Sequence, residues 1–241
     1  MLSEQSPQHP FAGMLRPGYL SAGQAARAVE QFLRLHLPDW VNVQQRNLQR
    51  SENTLTGSLC RFLGSRCRKA QTLFAFFPEF PQTTSRRVDL GVHATEEEGL
   101  YVANQMYGLD DAFYTLEAKR LPTPGGTGRE REYVIGDGSK QSGGIERFKE
   151  NLHGNDLLYS GMIAYIQEER KPSWLANVNR WISDLTAYPP TNAHATWSQH
   201  DLLREEATAI PILKEFSSHH HRAHGSPIQL WHFWLDLAAT C

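Results

Sequence analysis

The 241-residue sequence predicts an α/β fold from three patterns. Residues 87–92 and 113–119 alternate apolar with other side chains at period two, which is typical of strands whose two faces meet different surroundings. Residues 158–167 are almost continuously apolar, as expected of a central strand covered on both faces. Apolar residues also recur at helical spacing on both sides of these segments, so we expect helices to pack against the sheet.

Two helices are predicted before the first core strand. Residues 21–37 carry apolar side chains at helical spacing, and Pro38 is expected to stop this helix. Ser51 suits the N-cap position of a second helix, whose apolar stripe runs through residues 55–63. Glu52 falls on the same stripe and needs a partner there, because burying an unpaired charge is costly. The alternative explanation is a first-turn glutamate that the helix dipole favours.

Further strands are predicted on both sides of the central segments. Residues 73–77 are expected to form the first core strand, which Pro78 ends. The acidic segment 94–111 is predicted to be a solvent-facing loop or an irregular hairpin. Residues 209–216 and 228–237 are strand-like, and we expect them to extend the sheet near its C-terminal end.

Two more helices are predicted after the second alternating strand. Residues 121–128 are rich in turn formers and are expected to form a loop beside that strand. A helix is expected over residues 143–152, with Gly154 just past its end. Pro172 is suited to the start of the next helix, which would bury two tryptophans and continue to Leu185.

Two carboxylates and one amine are expected to converge on neighbouring strands. Asp89 lies on the first alternating strand, on the face opposite to its apolar residues. Glu117 and Lys119 share one face of the second, because side chains two positions apart point the same way. If the two strands are neighbours in one sheet, this set of groups can hold a hard divalent cation and a water molecule.

Asp89 followed on a later strand by Glu117-Ala118-Lys119 resembles the core motif of the PD-(D/E)xK nuclease superfamily. Val88 stands where that family usually has proline, which is a mild departure because the aspartate carries the chemistry. The resemblance covers roughly residues 50–166. A second acid-x-lysine at 169–171 lacks an upstream strand-borne aspartate and does not fit the motif. The resemblance implies a restriction-endonuclease-like α/β/α core with a mixed central sheet, an N-terminal helical decoration and a C-terminal β extension.

The same resemblance implies a Mg²⁺ site, in which Mn²⁺ can substitute. Asp89, Glu117 and the carbonyl oxygen of Ala118 would hold the ion, and Glu52 would bind a second cation or a water on the attacking side. Lys119 would orient or deprotonate the attacking water. Two neighbouring carboxylates favour its ammonium form, so we expect electrostatic positioning rather than a resting neutral base.

The resemblance also assigns further residues to the site. A glutamine or lysine at the start of the helix over 143–152 often adjoins the active site in the family, which makes Gln141 a catalytic candidate and Lys140 its alternative. A capping or loop amide explains Gln141 equally well. The residues expected to contact the nucleic-acid backbone are Arg87, Arg120, Arg129 and Arg131.

Composition limits the classes of protein that the chain can belong to. A formal net charge of −2 gives no overall attraction to nucleic acid, so phosphate binding has to depend on local patches. Three cysteines, Cys60, Cys67 and Cys241, fit neither a disulfide framework nor a zinc site and indicate a reducing cytoplasm. The sequence contains no secretory signal pattern and no apolar run of about 18 residues, so no membrane partner is expected.

One domain is the simplest organisation at this length. We expect an arm and helix over residues 1–45, the nuclease-like core over 46–187 and a β-rich extension of the same domain over 188–241. The extension contains His219, His220, His221 and His224, which can bind a transition metal. An exposed hairpin loop is the favoured interpretation, because no acid or cysteine joins them in the sequence.

The expected function is Mg²⁺-dependent endonuclease cleavage of DNA, leaving a 5′-phosphate and a 3′-hydroxyl. By analogy with this family, we expect a bacterial restriction or anti-phage effector that forms a homo-oligomer and responds to a defence-system partner or an activating signal. The first alternative is a non-catalytic nucleic-acid-binding or assembly module that keeps the fold. The second is an unrelated α/β protein whose acidic residues are structural.

Overall fold

The computed structural model describes residues 20–44, 50–83, 86–126, 129–136, 142–168, 173–191 and 193–238. Four α-helices and nine strands lie within these ranges. In chain order they are α1 (Ala22–Gln44), α2 (Glu52–Ala70), β1 (Phe74–Thr83), β2 (Arg86–Ala94), β3 (Leu100–Val102), β4 (Gln105–Tyr107), β5 (Ala112–Arg120), α3 (Gly144–Lys149), β6 (Tyr159–Ile166), α4 (Trp174–Ala187), β7 (Arg204–Glu205), β8 (Leu213–His220) and β9 (Ile228–Asp236).

Seven strands form one mixed sheet in the order β1-β2-β5-β6-β9-β8-β7. The strands β1, β2 and β5 are antiparallel neighbours, whereas β6 runs parallel to both β5 and β9. The strands β9, β8 and β7 are again antiparallel. The strands β3 and β4 follow β2 and precede β5 in the sequence, and they form a separate hairpin outside the main sheet. The predicted α/β class with a mixed central sheet is therefore confirmed.

Each face of the main sheet has its own hydrophobic core. Consecutive residues of β6 alternate between the two cores: Ile163 and Tyr165 pack with α1 and α2, whereas Met162 and Ala164 pack with α3 and α4. This alternation follows from the two-residue period of a strand. The sheet is thus covered on both faces, which explains why β6 is apolar along its whole length.

Two predicted element boundaries are wrong because each was placed at a proline. The helix α1 continues through Pro38 to Gln44, although a proline cannot donate the helical hydrogen bond. Trp40 and Val41, beyond the proline, are buried in the core, so packing compensates for the missing bond. The strand β1 likewise continues through Pro78 to Thr83. It is an edge strand, where a residue without a backbone N–H is tolerated.

Other predicted boundaries also differ from the structure. The helix α3 has only six residues instead of the span 143–152. The strand expected over 209–216 is β8, which starts later, at Leu213, and extends to His220. The segment 94–111 contains the β3–β4 hairpin, which confirms the second of its two predicted forms. Among the described residues, no helix combines the length and the apolarity needed to cross a membrane.

Candidate active site

The strands β2 and β5 bring the two predicted carboxylates together. Their antiparallel ladder pairs Leu90 with Leu116, so Asp89 and Glu117 follow as the next opposed positions. Opposed residues of neighbouring strands point to the same face. The Oδ2 atom of Asp89 accepts a hydrogen bond of 2.7 Å from the backbone N–H of Ala118. The carboxylate of Asp89 therefore accepts the hydrogen bond of a backbone N–H of β5, just beyond the last backbone pair of the β2–β5 ladder.

Three positively charged or ionisable groups surround the carboxylate of Glu117, which is fully buried. The Nζ atom of Lys119 lies 2.9 Å from Oε1, and Arg147 on α3 contacts the same oxygen. The Nδ1 atom of His153 lies 3.1 Å from Oε2. Burial alone raises the pKa of Glu117, but the charge of Lys119, the hydrogen bond with His153 and the charge of Arg147 outweigh burial and lower it well below its usual value. Glu117 is therefore a carboxylate at neutral pH.

Lys119 connects two acidic residues from different elements. Its Nζ atom lies between Glu117 and Glu52, 3.3 Å from Oε1 of the latter. Burial lowers the pKa of Lys119, but the charges of Glu117, Glu52 and Asp89 exceed that effect and raise it above its usual value. Lys119 therefore keeps its proton at neutral pH.

Glu52 reaches the site from the first turn of α2. Ser51 caps this helix by accepting a hydrogen bond from the N–H of Thr54. Besides its contact with Lys119, Glu52 accepts a hydrogen bond of 3.0 Å from the backbone N–H of Arg120. The predicted need of this carboxylate for a partner is thus met by two partners at the end of β5.

Asp89 has an environment opposite to that of Glu117. Burial has the largest effect on the pKa of Asp89, and the charge of Glu117 has the next largest. Together they raise this pKa to about 8, against the smaller opposing effect of Lys119. Asp89 is consequently protonated at neutral pH when no cation is present. A divalent cation between the two residues would oppose this shift, because its positive charge favours the ionised form of Asp89.

The donor atoms of this site suit Mg²⁺, an ion commonly bound by one or two carboxylates together with water molecules. The Oε2 atom of Glu117 has Nδ1 of His153 3.1 Å away, so a cation at this oxygen would share it with the imidazole. Within the described part of the chain, no three acidic, histidine or cysteine side chains lie close enough together to hold an ion by themselves. A cation here would therefore need backbone carbonyl or water oxygens beside Asp89 and Glu117.

None of the other predicted residues joins this cluster through a described side-chain contact. Gln141 and its alternative Lys140 lie outside the described residues. Arg87 is exposed, with its guanidinium 3.5 Å from Glu79, and Arg131 is exposed as well. Arg129 is exposed and forms a double hydrogen bond with Glu132. Arg120 is half-buried, and its backbone rather than its guanidinium contacts Glu52.

Arg147 and His153 are site residues that the sequence did not predict. Arg147 lies on the short helix α3, where a charged residue ordinarily indicates a solvated face. His153 follows that helix in an irregular segment in which Asn151 has a positive φ of 56°. Neither position belongs to a periodic pattern. Only the packing of α3 against β5 could reveal their contact with Glu117.

A second buried polar cluster lies in the C-terminal region. The Oδ1 atom of Asp201 is 2.6 Å from both Nζ of Lys149 and Nδ1 of His220, and Nε2 of His220 is 2.6 Å from Oγ of Ser218. The prediction that His220 belongs to an exposed loop without an acidic neighbour is therefore wrong. The order of groups resembles a serine hydrolase triad. However, the Oγ atom of Ser218 also lies 2.7 Å from Nε2 of His232, so the buried hydroxyl is held between two histidines rather than directed at a substrate.

The groups at the two ends of this cluster indicate the direction of its hydrogen bonds. The carboxylate of Asp201 can only accept, so Nδ1 of His220 donates to it, and Trp234 can only donate, from Nε1 to the hydroxyl of Tyr133. With both histidines neutral, Tyr133 donates to Nδ1 of His232 at 2.7 Å. His232 then donates from Nε2 to Ser218, and Ser218 donates to His220. Both histidines are neutral in this arrangement, and burial lowers the pKa of each. We call the chain from Trp234 to Asp201 the buried relay; its order is Trp234, Tyr133, His232, Ser218, His220, Asp201.

No protein-family model, no curated protein and no solved structure matches this chain. The case for a function therefore depends on the geometry and chemistry of the two clusters. The buried relay uses its serine hydroxyl to join two histidines, whereas the cluster around Glu117 combines acids with a protonated lysine and reaches the half-buried Glu52.

Proposed function

We propose that the protein is a Mg²⁺-dependent endonuclease that hydrolyses phosphodiester bonds of DNA, with a restriction-endonuclease-like core of the PD-(D/E)xK type. The topology supports this proposal. A helix, three antiparallel strands, a helix and a parallel strand, namely α2, β1, β2, β5, α3 and β6, follow one another as the sequence resemblance implies. The β3–β4 hairpin is an insertion between the second and third of these strands.

The observation that carries the proposal is the convergence of four side chains from three elements. Asp89 on β2 opposes Glu117 on β5, and Lys119 links Glu117 to Glu52 on α2. These residues are distant along the chain, and none of the four belongs to either hydrophobic core. Acids with a protonated amine beside them are the groups that metal-assisted phosphodiester hydrolysis uses.

Asp89, Glu117 and the carbonyl oxygen of Ala118 would hold Mg²⁺. When bound, this ion would stabilise the negative charge on the phosphate oxygens and lower the pKa of a water ligand. The ammonium group of Lys119 orients the attacking water and offsets the negative charge that develops on the phosphate. It does not act as a resting base, because its neighbours raise its pKa. Glu52 holds Lys119 in place. Arg147 and His153 are positioning residues that keep Glu117 ionised.

A non-catalytic nucleic-acid-binding module is the second candidate. One observation favours it: Lys119, Arg147 and His153 already surround Glu117, so the charge of this carboxylate is balanced without any metal ion. In such a module Asp89 would remain protonated and would serve only as a partner of the Ala118 N–H.

A cleavage assay with a matched pair of variants separates the two candidates. Supercoiled and linear DNA are incubated with the protein in Mg²⁺, Mn²⁺ or EDTA. We expect cutting in either metal by the wild type and by Asp184→Asn, which makes the same chemical change on an exposed position of α4. Asp89→Asn is expected to reduce the rate by at least about 100-fold. Equal rates in EDTA, or full activity of Asp89→Asn, would refute the metal-dependent mechanism; binding without cutting would favour the module.

A further inference from the structure

A cleft opens beside the candidate active site. Its volume is about 320 Å³, and its walls are residues 80–81 of β1, the β3–β4 hairpin, the start of β5 and the segment 154–157. We call it the flanking cleft. Pockets of roughly 300–1,000 Å³ hold small organic ligands in proteins, so the flanking cleft has room for a single small planar group.

Two elements connect the flanking cleft to the candidate site. Thr115 lines the cleft and shares one face of β5 with Glu117, which lies two residues further on, or about 7 Å along a strand. Gly154 also lines the cleft, and the residue before it, His153, lies 3.1 Å from the carboxylate of Glu117. A nucleotide next to a phosphate held at Asp89 and Glu117 would therefore lie at the mouth of the flanking cleft.

An unusual backbone conformation turns Phe80 into the cleft. Glu79, just before it, has a φ of 50°, which is uncommon for a residue other than glycine. Phe80 pairs in register with Val88, yet the centroid of its half-buried ring lies 4.6 Å from that of His93, on the opposite face of β2. A Cβ atom at Gly91 would lie only 2.8 Å from Cβ and Cγ of Phe80, so the ring can occupy this position only above a glycine. Strained residues such as Glu79 are concentrated at ligand sites.

The polar groups of the flanking cleft suit a nucleobase better than a phosphate. Asp111 and Asp156 are exposed acids in its lining, and of the described residues that line it none is a lysine or an arginine. These two negative charges repel a phosphate, whereas carboxylates accept hydrogen bonds from the amino group of a base such as cytosine. The side-chain amides of Gln105 and Asn155 add donors and acceptors. The cleft thus combines an aromatic ring with hydrogen-bonding groups that match the edge of a base.

Arg222 holds one wall of the flanking cleft in place. Its guanidinium donates hydrogen bonds to the backbone carbonyl oxygens of Gly154, Asn155 and Leu157, which all line the cleft. The charge of this arginine is therefore used to fix the segment 154–157. A ligand that enters the cleft meets a wall that is already ordered, so binding costs less conformational entropy.

We propose that the flanking cleft binds an unpaired nucleobase of the DNA strand, next to the phosphate held at the candidate active site, and stacks it against Phe80. This inference rests on the proposed function and adds a substrate class to it, because a base enters the cleft only from a single strand or after it has swung out of a duplex. Stacking on an aromatic ring accepts every base, and the carboxylates of Asp111 and Asp156 favour bases that carry an amino group.

The test measures how much the bases contribute to binding. Two fluorescent single strands of about 12 nucleotides, one of deoxycytidine and one of abasic sugar-phosphate, are compared by anisotropy in Mg²⁺ in the non-cutting Asp89→Asn background. We expect the deoxycytidine strand to bind at least about 5-fold more tightly, the contribution of one stacked base. Phe80→Leu should reduce this preference to less than about 2-fold and leave the affinity for the abasic strand unchanged. The control, Tyr188→Leu, removes an aromatic ring that is 82% exposed and lies outside the cleft, and it should keep the full preference.

A second variant at the same position separates stacking from folding. Phe80→Tyr keeps an aromatic face, so we expect it to retain the preference for the deoxycytidine strand. Equal affinities for the two strands in the Asp89→Asn background, equal losses in the two leucine variants, or loss of the preference in Phe80→Tyr would overturn the inference while leaving the cleavage result standing. A preference that depends on Phe80, in a protein whose wild type does not cut DNA, would refute the proposed function and leave the base-binding cleft.

Discussion

Glu117 is the residue on which the charge balance of the candidate site depends most. Its carboxylate is fully buried and compensates Lys119, which is only 7% exposed, as well as Arg147. A buried ion pair adds little net stability, yet the loss of one partner is strongly destabilising, because the other charge remains buried without compensation.

Replacing Glu117 and replacing Asp89 should therefore have unequal effects on folding. We expect Glu117→Ala to lower the free energy of unfolding by about 3–5 kcal/mol, measured by urea denaturation in EDTA. We expect Asp89→Asn to change it by less than about 1 kcal/mol, because the amide oxygen can still accept the hydrogen bond from the Ala118 N–H. Equal losses for the two variants would contradict this description of the site.

Glu30 is a buried acid outside the candidate site, and it should make stability depend on pH. Burial raises its pKa to about 7, against a partial opposing effect of Arg34. The folded state therefore binds a proton that the unfolded state has released between about pH 4.5 and pH 7, so stability falls as pH rises through this window. We expect Glu30→Gln to remove a slope on the order of 1 kcal/mol per pH unit there, as measured by urea denaturation across that pH range.

A matched control for this slope is Glu205→Gln on β7, where the side chain is exposed. It makes the same chemical change and should leave the slope as it is in the wild type. If Glu30→Gln and Glu205→Gln give the same pH profile, the protonated state assigned to Glu30 is wrong.

At the level of single residues, the sequence predicted what a strand pattern can encode. Alternation placed Glu117 and Lys119 on one face of β5, and the structure confirms that face through their contact with each other. Arg147 and His153 could not be predicted, because their contact with Glu117 depends on how a six-residue helix packs, and no periodicity encodes that. The membership of His220 in a buried cluster was missed because its acidic partner, Asp201, is distant in sequence.

At the level of elements, the buried relay joins α3 to the strands β8 and β9. Lys149 on α3 binds Asp201, and the relay continues from His220 on β8 to His232 on β9 through Ser218. Every donor points towards Asp201, so no member can be removed without leaving a neighbour unsatisfied. Buried polar groups without a partner are costly, and the relay therefore fixes the register of these elements.

Ser218→Ala tests the relay at its centre. The substitution leaves the facing Nε2 atoms of His220 and His232 without a partner, and we expect a loss of about 1–3 kcal/mol for each orphaned group in urea denaturation. Ser65→Ala, on the exposed face of α2, should change stability by less than about 0.5 kcal/mol. A Ser218→Ala protein as stable as the control would show that the relay does not contribute to the fold.

Element boundaries were predictable where local pattern decides them and not where packing does. The N-cap at Ser51 and the strand β9 follow directly from residue type and alternation. The helix α1 passes Pro38 because apolar residues on both sides of it are buried, and the sequence shows the proline but not the burial. The early end of α3 is set by the backbone turn that follows it, in which Asn151 and Gly154 have positive φ.

At the level of the whole molecule, the C-terminal strands belong to the centre of the structure. The strand β9 lies between β6 and β8 in the sheet and pairs with β6 along its entire length. Its residues contribute to both hydrophobic cores, since Phe233 and Leu235 belong to one and Leu230 and Trp234 to the other. The strands β7, β8 and β9 thus extend the sheet, and β9 supplies residues to both cores.

A chain truncated after residue 187 is therefore expected not to fold. Each large apolar side chain that it loses from a core contributes about 1.5–3 kcal/mol, and a domain of this kind is stable by only about 5–15 kcal/mol in total. Circular dichroism and urea denaturation of the truncated chain should show no cooperative transition. A cooperative transition like that of the full chain would mean that residues 20–187 form an independent unit.

The overall class was accessible from the sequence, whereas the full topology was not. Alternating and continuous apolar segments identified β2, β5 and β6, and the hairpin in the acidic connection was one of two predicted forms. The parallel pairing of β6 with β9 crosses more than 60 residues and depends on contacts that only the folded chain makes. Long-range pairing of this kind leaves no local signal in the sequence.

The central claim is that Asp89 and Glu117 can share one divalent cation, and crystallography with Mn²⁺ tests it most directly. In crystals soaked with Mn²⁺ as a stand-in for Mg²⁺, we expect an anomalous peak within about 2.0–2.6 Å of a carboxylate oxygen of both residues. The same peak should be absent from Asp89→Asn crystals. A peak bound to neither residue, or no peak at saturating Mn²⁺ while the Lys119–Glu117 contact persists, would contradict the account.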